Sequence, residues 1–217
     1  QEGYPIVGLA RDFTKCGDLP EQLCTVKIDL SELAALPRRL QKLAREHQDV
    51  DGVVCNAGQG RFGSLEEFSY DQIRSLLDLN FTSQAYVARA FLPAMKERQR
   101  GDLIFIGSEA ALTGGRRGAV YSASKAAVRG FAHALRDECA RSGVRVCLIN
   151  PGMVSTGFFD DLPFAPGDEE THSLLPQEVA DVVARVLSSR AGAVFDEINL
   201  SPLKKVVRFR PAPGKEP

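Results

Sequence analysis

The chain alternates two kinds of apolar pattern. Short bulky runs bounded by polar residues read as buried strands: Ile6 to Ala10, Leu23 to Ile28, Gly52-Val53-Val54-Cys55, Leu103 to Ile106, Val144 to Ile149 and Val194 to Leu200. Between them stand segments whose apolar positions recur with the helical period. A helix is expected from Pro37, a residue suited to a first turn, with Leu40, Leu43 and Ala44 on one face. Ser69-x-x-Gln72 forms a capping box before a helix whose apolar positions Leu76, Leu77 and Leu79 run to Asn80, and a further helix extends to about Lys96. A long helix opens near Tyr121 and stops at Gly143, and Pro176 opens a last one through Val179, Val182, Val183 and Val186. Residues 157–172, rich in Phe, Pro, Asp and Glu, read as a mobile flap. Strands separated by helices predict a parallel sheet covered on both faces, with residues 1–217 forming one α/β domain.

Composition narrows the classes. With 44% hydrophobic and 25% charged residues in 217, the chain has enough apolar material for one well-filled core. The net charge of −1 gives no broad electrostatic reason to expect nucleic acid or an anionic membrane. No apolar stretch reaches the length of a membrane span, and no signal peptide is visible. Cys16, Cys24, Cys55, Cys139 and Cys147 are odd in number and lack metal-ligand spacing. Cys55 and Cys147 lie inside apolar runs, where cysteine acts as a small hydrophobe, so a reduced cytoplasmic protein is expected.

The candidate chemistry gathers between Gly107-Ser108-Glu109 and Tyr121-Ser-Ala-Ser-Lys125. The apolar run ending at Ile106 delivers Ser108 to a sheet edge. On the following helix Tyr121 and Lys125 stand four residues apart, one turn along the same face. A free tyrosine titrates near ~10, too high for ready proton exchange at neutral pH, and a fixed cation nearby favours phenolate. A lowering by about 3 units corresponds to about 4 kcal/mol of charge stabilisation, which needs a partly desolvated lysine or further positive charge. Ser108 is placed to hydrogen-bond an oxygen that changes between carbonyl and hydroxyl.

Parallel α/β sheets bind ligands beyond the carboxyl ends of their strands. Polar motifs fall there repeatedly: Arg11 after the first strand, Asp29 after the second, Asn56-Ala57-Gly58 after the third, Ser108 after the fourth and Pro151-Gly152 after the fifth. Together they describe one long cleft.

Asn56-Ala57-Gly58, Asn80, Ser108, Tyr121-x-x-x-Lys125 and Pro151-Gly152 followed by Thr156 occur in the order and spacing of the single-domain short-chain dehydrogenase/reductase family, which this chain resembles over nearly its whole length. The resemblance implies a doubly wound, Rossmann-like sheet and an oxidoreductase interconverting a carbonyl and a secondary alcohol with a nicotinamide cofactor. By it, Tyr121 is the catalytic acid/base, Lys125 binds the nicotinamide ribose and tunes Tyr121, Ser108 orients the substrate oxygen, and Asn80 holds a water in the proton relay. Asp29 and Leu30 border the adenine, Asn56, Ala57 and Gly58 pack along the cofactor, and Pro151, Gly152, Val154 and Thr156 reach its nicotinamide end. The resemblance also implies a homodimer or homotetramer through the helices from Asn80 and Tyr121, the second of which is rich in small residues.

The choice of cofactor rests on Arg11. NAD-reading folds place an acidic residue at this corner for the ribose, whereas NADP binders place an arginine for the 2′-phosphate. Ala10-Arg11 therefore predicts NADP, with the adjacent Asp12 as the alternative reader of ribose hydroxyls. One departure stands out. The family opens with a strand and a glycine-rich Thr-Gly-x-x-x-Gly-x-Gly turn, and this sequence begins at Gln1 with neither. In the family's strand order the absent strand is central, and unpaired buried backbone groups cost about 1–3 kcal/mol each. About 25–30 residues preceding Gln1 are therefore expected.

Other residues carry weaker expectations. His47, His133 and His172 lack ligand spacing and read as surface or helix-packing residues. Asp160, Asp161, Asp168, Glu169 and Glu170 read as a solvated flap, and Lys204, Lys205, Arg208 and Arg210 as a solvated basic tail. Gln59, Gly60, Arg61, Phe62, Glu109, Arg116 and Arg117 line the cleft side as substrate contacts or loop packing. A catalytically silent nucleotide-binding protein of the same fold is the alternative function.

Overall fold

The computed structural model describes residues 3–14 and 16–210. Its strands are β1 (Ile6–Ala10), β2 (Leu23–Lys27), β3 (Gly52–Cys55), β4 (Gly101–Ile106), β5 (Val144–Pro151), β6 (Phe164–Pro166), β7 (Glu197–Leu200) and β8 (Val207–Phe209). The helices are α1 (Leu36–Glu46), α2 (Tyr70–Leu77), α3 (Ser83–Arg98), α4 (Ala119–Cys139) and α5 (Pro176–Leu187). Every strand expected from sequence forms, although the last is shorter than Val194 to Leu200. The segment after Arg210 and the approach at Gln1 and Glu2 lie outside the described residues.

β3, β4, β5 and β7 make one parallel sheet in that order. Its centre explains why the apolar runs are continuous. Leu103 and Phe105 of β4, with Val146 and Leu148 of β5, face a core shared with Leu36, Leu40 and Leu43 of α1 and with α3 and α4. The intervening Ile104, Ile106, Cys147 and Ile149 face the opposite side, against Val179, Val182, Val183 and Val186 of α5. Alternate residues are thus apolar on both faces, the mark of a doubly covered parallel sheet. Burial pushes the thiols of Cys55 and Cys147 up to about 12, fitting small apolar packing units.

β1 and β2 pair in parallel as a separate two-stranded sheet. Val7, Leu9 and Val26 pack onto the same core as β3 and β4. Among the described residues no strand hydrogen-bonds β1 to β3.

Local signals account for most helix boundaries. Ser69 and Gln72 form the expected reciprocal cap, with Ser69 Oγ accepting from the Gln72 N–H at 3.2 Å and the Gln72 side chain accepting from the Ser69 N–H at 3.0 Å. Gly143 ends the α4 region at φ 67°, a conformation that favours glycine. The helix expected to run to Asn80 ends at Leu77, and a π-helical turn, Asp78–Thr82, joins it to α3.

The flap and the basic tail depart from expectation together. β6, inside the flap, pairs antiparallel with β8. Lys204 bonds Glu169 at 2.9 Å, Arg208 meets Asp168 at 2.7 Å, and Lys205 reaches Glu109 at 2.6 Å. Arg210 donates to the carbonyls of Phe159 and Asp160 at 2.8 and 2.7 Å. The tail stays solvent-exposed, as expected, but it also pairs with the flap: Lys204 and Arg208 lie opposite flap carboxylates. His172, expected at a surface or helix, is buried within this flap, where its Nδ1 accepts from the Glu169 N–H at 3.3 Å.

Candidate active site

β4 ends at Ile106, and Gly107 turns the chain toward the rim. The Gly107 N–H donates to the Ile149 carbonyl at 2.7 Å, and a Cβ at this position would collide with the side-chain oxygen of Asn150. Glycine here lets Asn150 sit under the next residue, where its Oδ1 accepts from the Ser108 N–H at 3.3 Å. Ser108 itself is extended and caps a short 3-10 turn, its Oγ accepting from the Ala110 N–H at 3.2 Å. That leaves the Ser108 hydroxyl proton to point elsewhere.

Tyr121 is the neighbouring phenol within its reach. Both Tyr121 and Lys125 are buried on the sheet-facing side of α4. Burial pushes the Tyr121 phenol above its ordinary value, and a hydrogen bond with Ser108 pulls it back part of the way. The lowering expected from Lys125 is absent. The ammonium donates instead to the Ile106 carbonyl at 3.0 Å, and burial pulls its own pKa down to about 8. Desolvation therefore holds the phenol protonated and makes the lysine unusually ready to lose its proton.

Asn80 connects this pair to the loop after β3. Its Nδ2 donates to the Gln59 carbonyl and to Ser124 Oγ, each at 3.0 Å, while its Oδ1 accepts from the Gln59 N–H at 2.9 Å. Ser124 in turn donates to the Tyr121 carbonyl at 2.7 Å. A Cβ on Gly58 would lie 3.2 Å from Asn80 Oδ1 and 3.5 Å from Lys125 Nζ, so the Asn56-Ala57-Gly58 turn runs directly beside the amine. Gln84, unnoticed in the sequence, fixes this turn by donating to the Ala57 carbonyl at 2.7 Å.

The other end of the cleft is more open. Arg11, Asp29, Ser31, Gln59, Asp78 and Leu79 line a cavity of about 230 Å³ at the ends of β1 to β3. The Asp29 carboxylate accepts from the Ser31 N–H and hydroxyl at 2.8 and 2.6 Å. These bonds, with a smaller contribution from Arg11, hold it below its ordinary range. Asp12 does not line the cavity; its carboxylate is turned to Thr14 at 2.9 and 2.7 Å. Leu30 packs against the main core. Pro151 is buried, and the Gly152 N–H is held by the Leu200 carbonyl at 2.7 Å. Val154 bridges to Leu174, and Thr156 caps the turn that carries Phe158.

The residues present fit a nicotinamide dinucleotide at both ends: a part-open polar corner where Arg11 stands with Asp29, Ser31 and Asp78, and a groove beside Gly58 and Lys125 into which no side chain projects from position 58. Among the described residues no glycine-rich turn opens a helix between β1 and β3, so none is assigned to the pyrophosphate.

Residues 8–164 match the sequence model of the short chain dehydrogenase family. The chain belongs to that family. Among short chain dehydrogenases, it is 31% identical over 215 residues to the NADP-dependent 3-hydroxy acid dehydrogenase YdfG of Salmonella typhi, with 94% of this chain and 87% of that protein covered. The crystal structure of serine dehydrogenase from Escherichia coli superposes with a TM-score of 0.77 at 28% identity, covering 92% of this chain and 87% of that one. An alcohol dehydrogenase from Thermococcus sibiricus complexed with 5-hydroxy-NADP gives a TM-score of 0.80 at 25% identity, covering 92% and 86%. These short chain dehydrogenases share the doubly wound α/β fold described above.

Sequence reading missed the support behind the site. Asn150 donates to Glu197 Oε1 at 2.6 Å and to Asn199 Oδ1 at 2.9 Å. Glu197 is gripped by Arg129 at 2.8 and 3.0 Å and by His133 at 2.8 Å. Arg129 and His133 continue the four-residue spacing of Tyr121 and Lys125 along α4, and that spacing was the available signal.

Proposed function

We propose that the protein is an NADP-dependent oxidoreductase that interconverts a carbonyl and a secondary alcohol. The observation that carries this is the convergence of the Tyr121 phenol, the Ser108 hydroxyl and a buried Lys125 beside a groove ending at Arg11. The NADP complexes and NADP-dependent names of several relatives support the same cofactor.

The cofactor, when bound, supplies or accepts the hydride at the carbonyl carbon. Tyr121 handles the proton on oxygen. Its raised pKa keeps it protonated at neutral pH, which suits donation to the oxygen of a carbonyl undergoing reduction. Ser108 holds the same oxygen. Lys125 holds the nicotinamide ribose, and a bound ribose gives the ammonium a partner besides the Ile106 carbonyl. The side chain of Asn80 supports a positioning role, fastening Gln59 and Ser124; the water relay implied by the resemblance needs it to release one of these bonds. Arg11 takes the 2′-phosphate, Asp29 the adenosine side, and Asn56 to Gly58 with Pro151 to Thr156 flank the remaining length. Leu30 backs the adenine side from within the core.

The exposed small residues Ala119, Ala123, Ala126, Gly130 and Ala134 on α4 support self-association as a homodimer or homotetramer. Free cysteines throughout the described residues support a reducing, cytoplasmic setting, and no helix among them is long and apolar enough to cross a membrane. The residues form one functional domain in this reading.

The test is binding followed by turnover. NADPH should raise the melting temperature more than NADH does, and a panel of ketones and aldehydes should contain one that consumes NADPH. Stabilisation without consumption by any carbonyl would favour a nucleotide-binding protein of the same fold; no stabilisation by either nucleotide would overturn the reading.

A further inference from the structure

Over the Tyr121 phenol the fold places phenyl rings. Phe62, from the loop after β3, packs on Tyr121 with ring centroids 5.0 Å apart, and Phe158 approaches at 6.0 Å. Phe164 of β6 meets Phe62 edge-on at 4.8 Å, locking that ring from behind. Ala110 and Met153 extend the same apolar surround. Gly60 makes the closure possible: a Cβ there would stand 2.5 Å from the tip of the Phe158 ring. A substrate whose oxygen meets Tyr121 and Ser108 brings its carbon substituent next to these rings, which pack directly on the Tyr121 ring.

Several charges nearby are engaged. Arg117 holds both oxygens of Glu67, at 2.9 and 2.7 Å, and Lys205 holds Glu109 at 2.6 Å. Arg210 is bound to backbone carbonyls. Arg61 and Arg116 lie on the same two loops and are exposed. A carboxylate placed among the phenyl rings loses hydration without gaining a partner there, whereas an aryl group replaces one tilted or edge-to-face contact by another.

We propose that Phe62 and Phe158 are specificity-determining residues of this site and that its substrate carries an aryl group on or near the carbonyl carbon. The inference rests on the oxidoreductase reading, and the experiment separates the two. Acetophenone, cyclohexyl methyl ketone and acetoacetate are compared as substrates by kcat/KM with NADPH. In parallel, 1-phenylethanol is titrated into the NADPH-saturated protein by thermal shift, a measurement that needs no turnover. Acetophenone should be preferred over cyclohexyl methyl ketone by about tenfold and over acetoacetate by more, and 1-phenylethanol should add to the NADPH stabilisation. Phe158→Leu, which keeps apolar volume but removes the ring, should lower the acetophenone-to-cyclohexyl ratio by about tenfold, and Phe62→Leu should act in the same direction. Stabilisation by 1-phenylethanol that weakens in Phe158→Leu, with no ketone turned over, would support the aryl site and overturn the oxidoreductase reading. Preference for acetoacetate, lost on Arg61→Ala or Arg116→Ala, would overturn the aryl site and keep the oxidoreductase reading. Equal ratios in wild type and Phe158→Leu would also overturn it, leaving the rings as packing for the flap.

Discussion

The two ends of the cleft rest on differently built parts of the sheet. Ser108, Tyr121 and Asn150 stand on β4, β5 and α4, where Leu103, Ile104, Phe105, Leu148 and Ile149 are fully buried. Arg11 and Asp29 stand on β1 and β2, where Cys24, Thr25 and Lys27 are exposed and Val7, Leu9 and Val26 only half-buried. Proton transfer needs groups held dry and still, since desolvation is what moves their pKa values. Recognition of a phosphate needs an arginine that remains charged and accessible, and a part-exposed rim supplies that without burying a charge.

The comparison fails first if the buried end is not where the chemistry happens. Tyr121→Phe keeps the ring against Phe62 and Phe158 and removes only the hydroxyl; it should lower kcat by about a thousandfold or more while NADPH binding, measured by thermal shift, changes little. The next contrast is mechanical. Leu148→Ala, in the fully buried strand, should cost about 3–4 kcal/mol by urea unfolding, whereas Val26→Ala in β2 should cost about 1.

A pH measurement sharpens the electrostatic half. The folded chain holds the Lys125 proton less firmly than the unfolded chain does, since burial lowers its pKa from 10.5 to about 8. Across that interval the unfolded state binds more protons, so stability should rise with pH. Lys125→Met should remove that rise and stabilise the protein at pH 7 by about 1–3 kcal/mol while abolishing turnover. An unchanged slope between pH 8 and 10.5 would show that the amine is not desolvated. The smallest effect is expected at the open end: Arg11→Ala should raise KM for NADPH about tenfold, with KM for NADH and kcat nearly constant.

Legibility in the sequence followed the same division. β4 and β5 were plain because burial on both faces leaves an uninterrupted apolar run. Tyr121 and Lys125 were visible as a pair because helical spacing alone puts them on one face. The sign of the phenol's shift was not visible, because it depends on how deeply the fold buries the hydroxyl, a tertiary property without a local signature. The junction at Asn80 was legible as the end of one helix and the start of another, but not its π-helical turn, because five residues carry too little apolar pattern to mark a change of helical period. β6 has three residues and a partner some forty positions away, too short and too distant for periodicity to mark. The tail's basic residues were legible as charges but not as counterparts of Glu109, Asp168 and Glu169, because sequence separation hides complementarity.

The antiparallel pairing of β6 with β8 has a kinetic meaning. Any outward swing of the phenylalanine-bearing loop away from the tail has to unzip a three-residue ladder and separate Lys204 and Arg208 from Glu169 and Asp168. Exposed pairs of this sort contribute at most about 1 kcal/mol each and fade with ionic strength. The latch is therefore weak in every part, and its hold on the flap loosens as the salt around it rises.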